Sequence, residues 1–242
     1  NEPIINNPNP KLLDVSLKTF KKTFKLYNLI KPNQSLWNFL DKNFSEPKLK
    51  QLFARYATYV GGSPFSSPAI LALIWEAETK GIWRINGGLH LLAKKFTDLA
   101  KKNGAKFFFN TNVKKINFKN NFFQNIVTQG GEKKQGDLVI FNGDPRALHF
   151  DLANKEVSKK VLNKYVLNTR SLSAYVWSFC SQINNFELQH HNIFFNENYK
   201  SEFQDIQQNL MPSNPTLYLC AEDRGSGKKI IKNEKFEIIM NG

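Results

Sequence analysis

The spacing of apolar positions changes near residue 105 and divides the chain into a helical first part and a strand-rich second part. Before this point, apolar residues recur every three or four positions, which is typical of amphipathic helices. The face formed by Leu89, Leu92, Phe96 and Leu99 is the clearest case, and Asn103-Gly104 supplies a left-handed cap for its end. The pattern also predicts helices over 11–30, 36–44 and from Pro47 onward, two more around a Gly-Gly-Ser-Pro break after Arg55, and a short strand at Trp83.

From Lys106 onward, short apolar runs rich in β-branched and aromatic residues indicate strands. Asn120-Asn121 and Gly130-Gly131 provide turn chemistry for a three-stranded meander. Strands further along the chain are expected to form an antiparallel sheet. Strands are predicted over 107–109, 113–118, 122–127, 138–141, 171–180, 192–195, 216–221 and 236–240, and helices over 146–168, starting near Pro145, and 199–209.

Composition and charge limit the classes of function. The chain has 242 residues, and its 34 basic and 20 acidic side chains give a net charge of +14. Because the lysines are spread along the chain, an ordinary solvated surface is the simplest interpretation. An anionic membrane surface is the next, and nucleic acid is disfavoured because no binding motif accompanies the charge. The basic helix predicted over 11–30 fits either a membrane interface or packing on its own domain.

Three motifs that could indicate a disulfide, a metal site or a phosphate-binding loop do not meet the requirements of those features. Cys180 and Cys220 each lie in an apolar strand-like run, which predicts buried, reduced thiols. His190 and His191 are neighbours in a strand-like region, so their side chains are expected on opposite faces and no metal site is predicted. The segment Gly225–Lys229 resembles a phosphate-binding loop but lacks the required spacing of Gly and Ser or Thr.

Several spaced segments together resemble the carotenoid desaturases, FAD-dependent enzymes of the phytoene desaturase type. The resemblance runs from about Lys50 onward and is closest to the branch that desaturates 1-hydroxycarotenoids at the 3,4 bond. It rests on segments that keep the family's order: Arg55–Phe65, Ser67–Ala69, Gly81–Trp83, Gly87–His90, Phe141–Asp144, Arg170–Ser173, His191–Phe195 and Ala221–Gly225.

The resemblance implies an α/β fold with an α+β part. A partial FAD/NAD(P)-binding domain, Rossmann-like and of the amine-oxidase type, would be joined to a substrate domain with an antiparallel sheet and a helical lid. Residues 1–85 would form the lid and substrate side, 86–150 the FAD-domain segment with the meander, and 151–242 the substrate sheet. Since the chain lacks a G-x-G-x-x-G motif, both flavin motifs of the family would lie outside it, and it is expected to be a central fragment of a longer protein.

The resemblance also assigns functional residues. It places the adenine end of FAD against Val113. It also places a turn of the protein, at the end of a strand and beside the cofactor, at Asn142, Gly143 and Asp144. Candidates for contact with the polyene are Tyr59, Phe65, Trp83 and Trp177. No catalytic acid or base is assigned, because a flavin accepts the hydride in this chemistry.

The implied function is FAD-dependent 3,4-desaturation of an acyclic, 1-hydroxylated carotenoid by a cytoplasmic enzyme peripheral to a bacterial inner membrane. The fragment alone is expected to be inactive, and the oligomeric state stays open. The same fold would serve a phytoene desaturase, a carotenoid isomerase or an amine oxidase. A non-catalytic basic module that binds lipid or nucleic acid is the alternative from another class.

Overall fold

The computed structural model describes residues 34–120, 122–162, 170–183, 186–224 and 233–242. These residues form two compact units. Unit 1 contains the described residues up to Ile82 and those from Ser171 onward, whereas unit 2 runs from Trp83 to Arg170. The helix predicted over 11–30 and the segment Gly225–Lys229 lie outside the described residues.

Helices and antiparallel sheets alternate along the chain. The α-helices are α1 (Leu36–Asn43), α2 (Pro47–Ala54), α3 (Leu73–Glu78), α4 (Gly88–Lys102), α5 (Pro145–Ala147), α6 (Lys155–Val161) and α7 (Tyr199–Gln207). The strands are β1 (Val113–Lys119), β2 (Phe122–Thr128), β3 (Lys133–Gln135), β4 (Ala174–Ser181), β5 (His191–Phe194), β6 (Leu217–Ala221) and β7 (Glu234–Asn241). Two 3-10 helices cover Arg55–Val60 and Ala69–Ala72, and a π-helical turn covers Leu148–Leu152.

The helices of unit 1 begin where the sequence provides caps. The Ser35 hydroxyl accepts a hydrogen bond from the Asn38 amide at 3.2 Å, and the Glu46 carboxylate caps α2 next to Pro47. Behind these helices lies an apolar core that α7 joins through Phe203, whose ring meets that of Phe65 edge to face at 5.8 Å. The buried members of this core are Leu36, Phe39, Leu40, Ala54, Ala57, Ala69, Ala72, Tyr199 and Phe203.

The second half of unit 1 is a four-stranded sheet, and it is antiparallel as predicted. Its strand order is β4-β7-β6-β5. One face packs on a small core of Leu188, Ala221 and Phe236. At the end of this sheet, Arg224 donates to both carboxylate oxygens of the buried Glu234 at 2.5 and 2.7 Å. The guanidinium therefore holds the pKa of Glu234 below the ordinary range of a carboxyl group.

Unit 2 consists of the β1-β2-β3 meander, α4 and the turn-and-helix segment from Pro145 to Val161. Its described interior is thin, with Ile116, Thr128 and Val161 as the buried residues. The Asn154 amide ties the meander to α6 by donating to the Phe118 carbonyl at 3.3 Å. The apolar face of α4 forms as the periodicity predicts, and Gly104 takes φ +90° after its end. That face is nevertheless uncovered among the described residues, since Leu89 and Phe96 are 76% and 63% exposed.

Three predicted strands are wrong. Residues 107 and 108 are irregular and lead into a turn at 109–110, and the residues around Trp83 are also irregular. The third strand of the meander is Lys133–Gln135, which was not predicted, and Leu138–Phe141 is not a strand. The run Leu138–Phe141 has no regular secondary structure, and Ile140 is 85% exposed. Backbone hydrogen bonding in a strand requires a neighbour, and none of the described strands pairs with this run. Within the described residues, no helix is long and apolar enough to cross a bilayer.

The turn at Gly61 joins the two stretches of chain that build unit 1. Gly61 has φ +67°, and its carbonyl accepts a hydrogen bond from the Leu172 amide at 2.7 Å. A Cβ atom at this position would lie 2.4 Å from Cβ of Ser171. The turn therefore needs glycine both for its backbone conformation and for the close approach of the second stretch.

We predict that Gly61→Ala lowers the free energy of unfolding by about 2–4 kcal/mol, because backbone strain and a steric clash add together. Gly131→Ala is the matched control, since Gly131 has φ +84° and open space around it and is expected to lose only about 1 kcal/mol. Urea unfolding of the full-length protein measures both variants. Equal losses would show that the contact with Ser171 is unimportant.

Candidate functional site

Unit 1 contains a cavity of about 840 Å³ between its helical part and one face of its sheet. Most of the wall is apolar or aromatic, with a few hydroxyl and amide groups. This is the composition expected of a site for a large, mostly apolar ligand. The wall consists of Leu52, Phe53, Arg55, Tyr56, Thr58, Tyr59, Val60, Gly61, Ser171, Leu172, Ser173, Ala174, Ile193, Tyr218, Ile239 and Asn241.

The helical wall is the 3-10 helix Arg55–Val60, whose tight winding places two tyrosines side by side. The Tyr56 and Tyr59 rings lie 5.2 Å apart, and the Tyr56 hydroxyl donates a short hydrogen bond to the Glu78 carboxylate. Burial raises the pKa of Tyr56, and the bond to Glu78 raises it further. Burial likewise raises the pKa of Tyr59, so both phenols stay protonated and uncharged at neutral pH.

The register of the sheet produces the opposite wall. Ile193 pairs with Tyr218, and Tyr218 pairs with Ile239, so these residues form one row across β5, β6 and β7. Two residues further along the same face, a second row contains His191, Cys220 and, on β7, Glu237. The first row lines the cavity, whereas the second, more polar row lies beside it on the same face of the sheet. Tyr218 belongs to the first row and is two residues from Cys220 of the second.

A buried carboxylate holds one edge of the wall in place. Glu202 is 1% exposed and accepts hydrogen bonds from the Thr216 amide at 3.0 Å and from the Asn241 side chain at 2.8 Å. Asn241 lines the cavity, so Glu202 on α7 acts as a positioning residue for the end of β7. Nearby, Nη1 of Arg55 is buried without a hydrogen-bond partner among the described residues.

The residues predicted to contact the substrate lie in different places. Tyr59 lines the cavity, and Phe65 lies in the helical core, with its ring 4.9 Å from that of Trp37. Trp177 lies on β4 and pairs with Ile238, which places it on the sheet face opposite to Ile239. Trp83 is 80% exposed and belongs to unit 2. Their roles stay predictions, and only Tyr59 among them lines this cavity.

The residues predicted to contact the cofactor all belong to unit 2. Val113 begins β1, while Asn142, Gly143 and Asp144 form an exposed turn. The Asp144 carboxylate caps α5 by accepting from the Arg146 amide at 2.9 Å, and it pairs with Arg170 at 2.9 Å. The hydrogen bond from the Arg146 amide, assisted by Arg170, lowers the pKa of Asp144.

These residues fit a flavin nucleotide only in part. A ring carbon of Phe141 would lie 2.6 Å from a Cβ atom at position 143, so a glycine lets this turn fold closely on itself. Val113 and the turn are both exposed, so each is accessible to a ligand. A glycine-rich strand–turn–helix that would cradle the diphosphate is not found in this sequence.

The expectation that His190 and His191 point to opposite faces is wrong. His190 precedes β5, where the chain bends, so strand alternation does not apply to the pair, and the two rings lie 4.3 Å apart. The expectation of two buried thiols is also incorrect, because Cys180 is exposed on β4, whereas Cys220 is half-buried. β4 pairs only with β7 among the described strands, which leaves Cys180 at an edge.

Sequence reasoning missed most of the cavity wall. Ile193, Tyr218 and Ile239 each look like ordinary residues of an alternating strand. Only the pairing between strands reveals that they share a row. The alternation of Tyr218 with Cys220 and of Ile239 with Glu237 was a usable signal, since it predicts one mixed face for both strands.

Residues 22–173 match the family model described as flavin-containing amine oxidoreductase. The match covers more than half of the chain, which therefore belongs to this family. The mixed helices and antiparallel sheets described above agree with such a domain. The family implies a flavin cofactor for the protein that contains this chain.

Several curated relatives are carotenoid enzymes by name. The chain is 37% identical over 239 residues to hydroxyneurosporene desaturase of Rhodobacter capsulatus, covering 99% of the chain and 48% of that protein. It is 40% identical over 196 residues to hydroxyneurosporene desaturase of Rubrivivax gelatinosus, with coverages of 81% and 37%. It is also 36% identical over 232 residues to 1-hydroxycarotenoid 3,4-desaturase of a Flavobacterium species, with coverages of 93% and 46%. The chain spans about half the length, or less, of these curated relatives.

We predict that Glu202→Gln lowers the free energy of unfolding by about 1–3 kcal/mol, because an amide would place a donor against one of two buried donors. Asp205→Asn on the same helix is the control: this carboxylate accepts from Ser213 at the surface and is expected to change stability by less than about 0.5 kcal/mol. Thermal and urea unfolding test the pair. A neutral Glu202→Gln variant would remove Glu202 as an anchor of the cavity wall.

Proposed function

We propose that the protein containing this chain is an FAD-dependent oxidoreductase that desaturates an acyclic carotenoid, and that unit 1 binds the polyene. The observation that carries the proposal is the large, mostly apolar cavity in a chain that matches hydroxyneurosporene desaturases over nearly its whole length. On this proposal, unit 1 is the substrate domain and its helices are the lid.

The walls of the cavity suit the chemistry of a polyene. Desaturation removes two hydrogens from adjacent carbons, and a bound flavin supplies the acceptor for the hydride. The chain's own residues have the task of excluding water and fixing the polyene in place. Ile193 and Ile239 can make van der Waals contacts with the polyene, and the uncharged rings of Tyr56 and Tyr59 can stack on its conjugated double bonds.

Unit 2 is proposed as part of a Rossmann-like flavin domain. Its exposed apolar surfaces support this proposal, because a stable unit does not leave such faces in water. The face of α4 and the exposed apolar residues Leu138 and Ile140 are suited to packing on a neighbouring sheet, which the remaining half of a full-length relative could supply. Val113 and the turn Asn142–Asp144 would then contact the nucleotide.

A 1-hydroxylated substrate and the 3,4 bond are proposed from the names of the relatives. The wall also contains groups that can bind one hydroxyl without making the whole site polar. Thr58, Ser173 and Asn241 lie among the apolar residues and can donate or accept a hydrogen bond.

A membrane surface is proposed as the source of the substrate. A carotenoid dissolves in lipid and not in water, so the enzyme has to meet it at a bilayer. The net charge of +14 favours contact with anionic lipid, which would place a bacterial enzyme on the cytoplasmic side of the inner membrane. The proposal requires no nucleic acid.

The activity is tested with the full-length protein, FAD and vesicles that contain either 1-hydroxyneurosporene or phytoene. We expect the hydroxylated substrate to yield a product with one more conjugated double bond, detected as a red-shifted absorption band and by chromatography. Phytoene turnover alone would reassign the protein to phytoene desaturation. An isomer without added conjugation would indicate an isomerase, and oxidation of amines would indicate an amine oxidase.

We predict that Ile239→Phe reduces desaturation at limiting substrate by about tenfold or more, because the larger side chain fills part of the cavity. Ile238→Phe is the control, because Ile238 pairs with Trp177 on the opposite face of β7. Flavin absorbance and the thermal unfolding of both variants check that each is folded. Similar rates for the two variants would show that the polyene does not occupy this cavity.

A further inference from the structure

The polar row next to the cavity contains a cluster of metal-binding side chains that the proposed desaturation does not use. His190, His191 and Cys220 each offer a donor atom, and all three atoms lie within 4.8 Å of one another. Two strands position them: His191 and Cys220 are direct cross-strand partners, and the His190 carbonyl accepts from the Ala221 amide at 2.9 Å. The cluster is therefore fixed by backbone pairing and not by a chance meeting of long side chains.

The hydrogen bonds of His190 set its tautomer. Nδ1 of His190 lies 2.8 Å from the Ala221 carbonyl oxygen. A carbonyl can only accept, so Nδ1 carries the proton and Nε2 carries the lone pair. Histidine ligands of metals are commonly oriented in this way, with the second ring nitrogen donating to a carbonyl or carboxylate.

Tyr218 holds a second member of the cluster. Its hydroxyl lies 2.7 Å from Nδ1 of His191. A consistent arrangement has Nδ1 of His191 donating to the tyrosine oxygen, which leaves the lone pair of His191 on Nε2. Cys220 would bind a metal as the thiolate and would lose its proton on binding.

We propose that His190, His191 and Cys220 form a binding site for a divalent transition-metal ion, with Zn²⁺ as the best fit. Imidazole and thiolate ligands select Zn²⁺ and related ions over Mg²⁺ and Ca²⁺, which prefer oxygen. Bonds of about 2.0–2.3 Å place tetrahedral donor atoms about 3.2–3.8 Å apart. The cluster has to contract by about 1 Å at its widest separation, which side-chain rotation can supply.

Burial is suitable for reversible binding. His190 and Cys220 are half-buried, whereas His191 is exposed and leaves a path for the ion. Glu237 pairs with Cys220 on β7, so it lies on the same face and can supply a fourth ligand directly or through water. Binding would release the thiol proton to solvent and would fix Tyr218, which also lines the cavity.

The test uses the full-length flavoprotein, purified without a polyhistidine tag, stripped with a chelator and dialysed against zinc. We expect about one zinc per chain by elemental analysis, and X-ray absorption at the zinc edge is expected to show one sulfur and two nitrogen ligands. The flavin does not interfere at this edge. Zinc that binds with nitrogen and oxygen ligands only, or no zinc above the background, would overturn the proposal.

Variants of the cluster locate the ion. Cys220→Ser, His190→Ala and His191→Ala are each expected to weaken zinc binding at least tenfold in competition with a chromophoric chelator, and Tyr218→Phe by about tenfold. Matched controls are Cys180→Ser and His90→Ala, which remove an exposed cysteine on β4 and an exposed histidine on α4. Unchanged binding in Cys220→Ser, or equal losses in the controls, would place the zinc elsewhere.

Protection from alkylation provides a second readout that does not depend on how well the variants fold. In the unmodified sequence, zinc is expected to slow the reaction of iodoacetamide with Cys220 at least tenfold and to leave the exposed Cys180 unaffected, as measured by peptide mapping. Equal rates at Cys220 with and without zinc would contradict a thiolate–metal bond.

Discussion

The antiparallel register of the four-stranded sheet is the constraint on which the rest of unit 1 depends. A strand alternates its side chains between two faces, so a shift of one residue would exchange every position between the faces. The pairing of β7 with both β4 and β6 fixes Ile239 beside Tyr218 and Glu237 beside Cys220. The same pairing leaves Ala221 and Phe236 to form the core on the other side. One set of backbone hydrogen bonds thus separates the cavity from the core.

A second constraint joins the sheet to the helices. The left-handed turn at Gly61 places its carbonyl against Leu172, and residues on both sides of this contact line the cavity. Glu202 provides a comparable tie from α7 to Asn241. The shape of the cavity therefore rests on buried polar contacts between segments that are far apart in the sequence.

Periodicity in the sequence predicts the elements that carry their own local signal. The face of α4, the start of α2 at Pro47 and the turn at Gly130-Gly131 are determined by neighbouring residues, and they form as expected. The run Leu138–Phe141 has the composition of a strand, but a strand also requires a partner, and the described chain provides none. The bend before β5 likewise depends on the contact of His190 with Ala221, which no spacing of residues reveals.

Unit 2 interrupts unit 1 in the sequence, and this has a consequence for synthesis on the ribosome. The helices before Ile82 emerge first, and the sheet that completes their unit begins only after Ser171. The early helices must wait for nearly ninety intervening residues, and joining such distant segments is a slow step in folding. During that interval Leu52, Tyr59 and Val60 lack the strands that will face them. The apolar wall of the cavity is therefore exposed for longer during synthesis than it would be if unit 1 were continuous in the sequence.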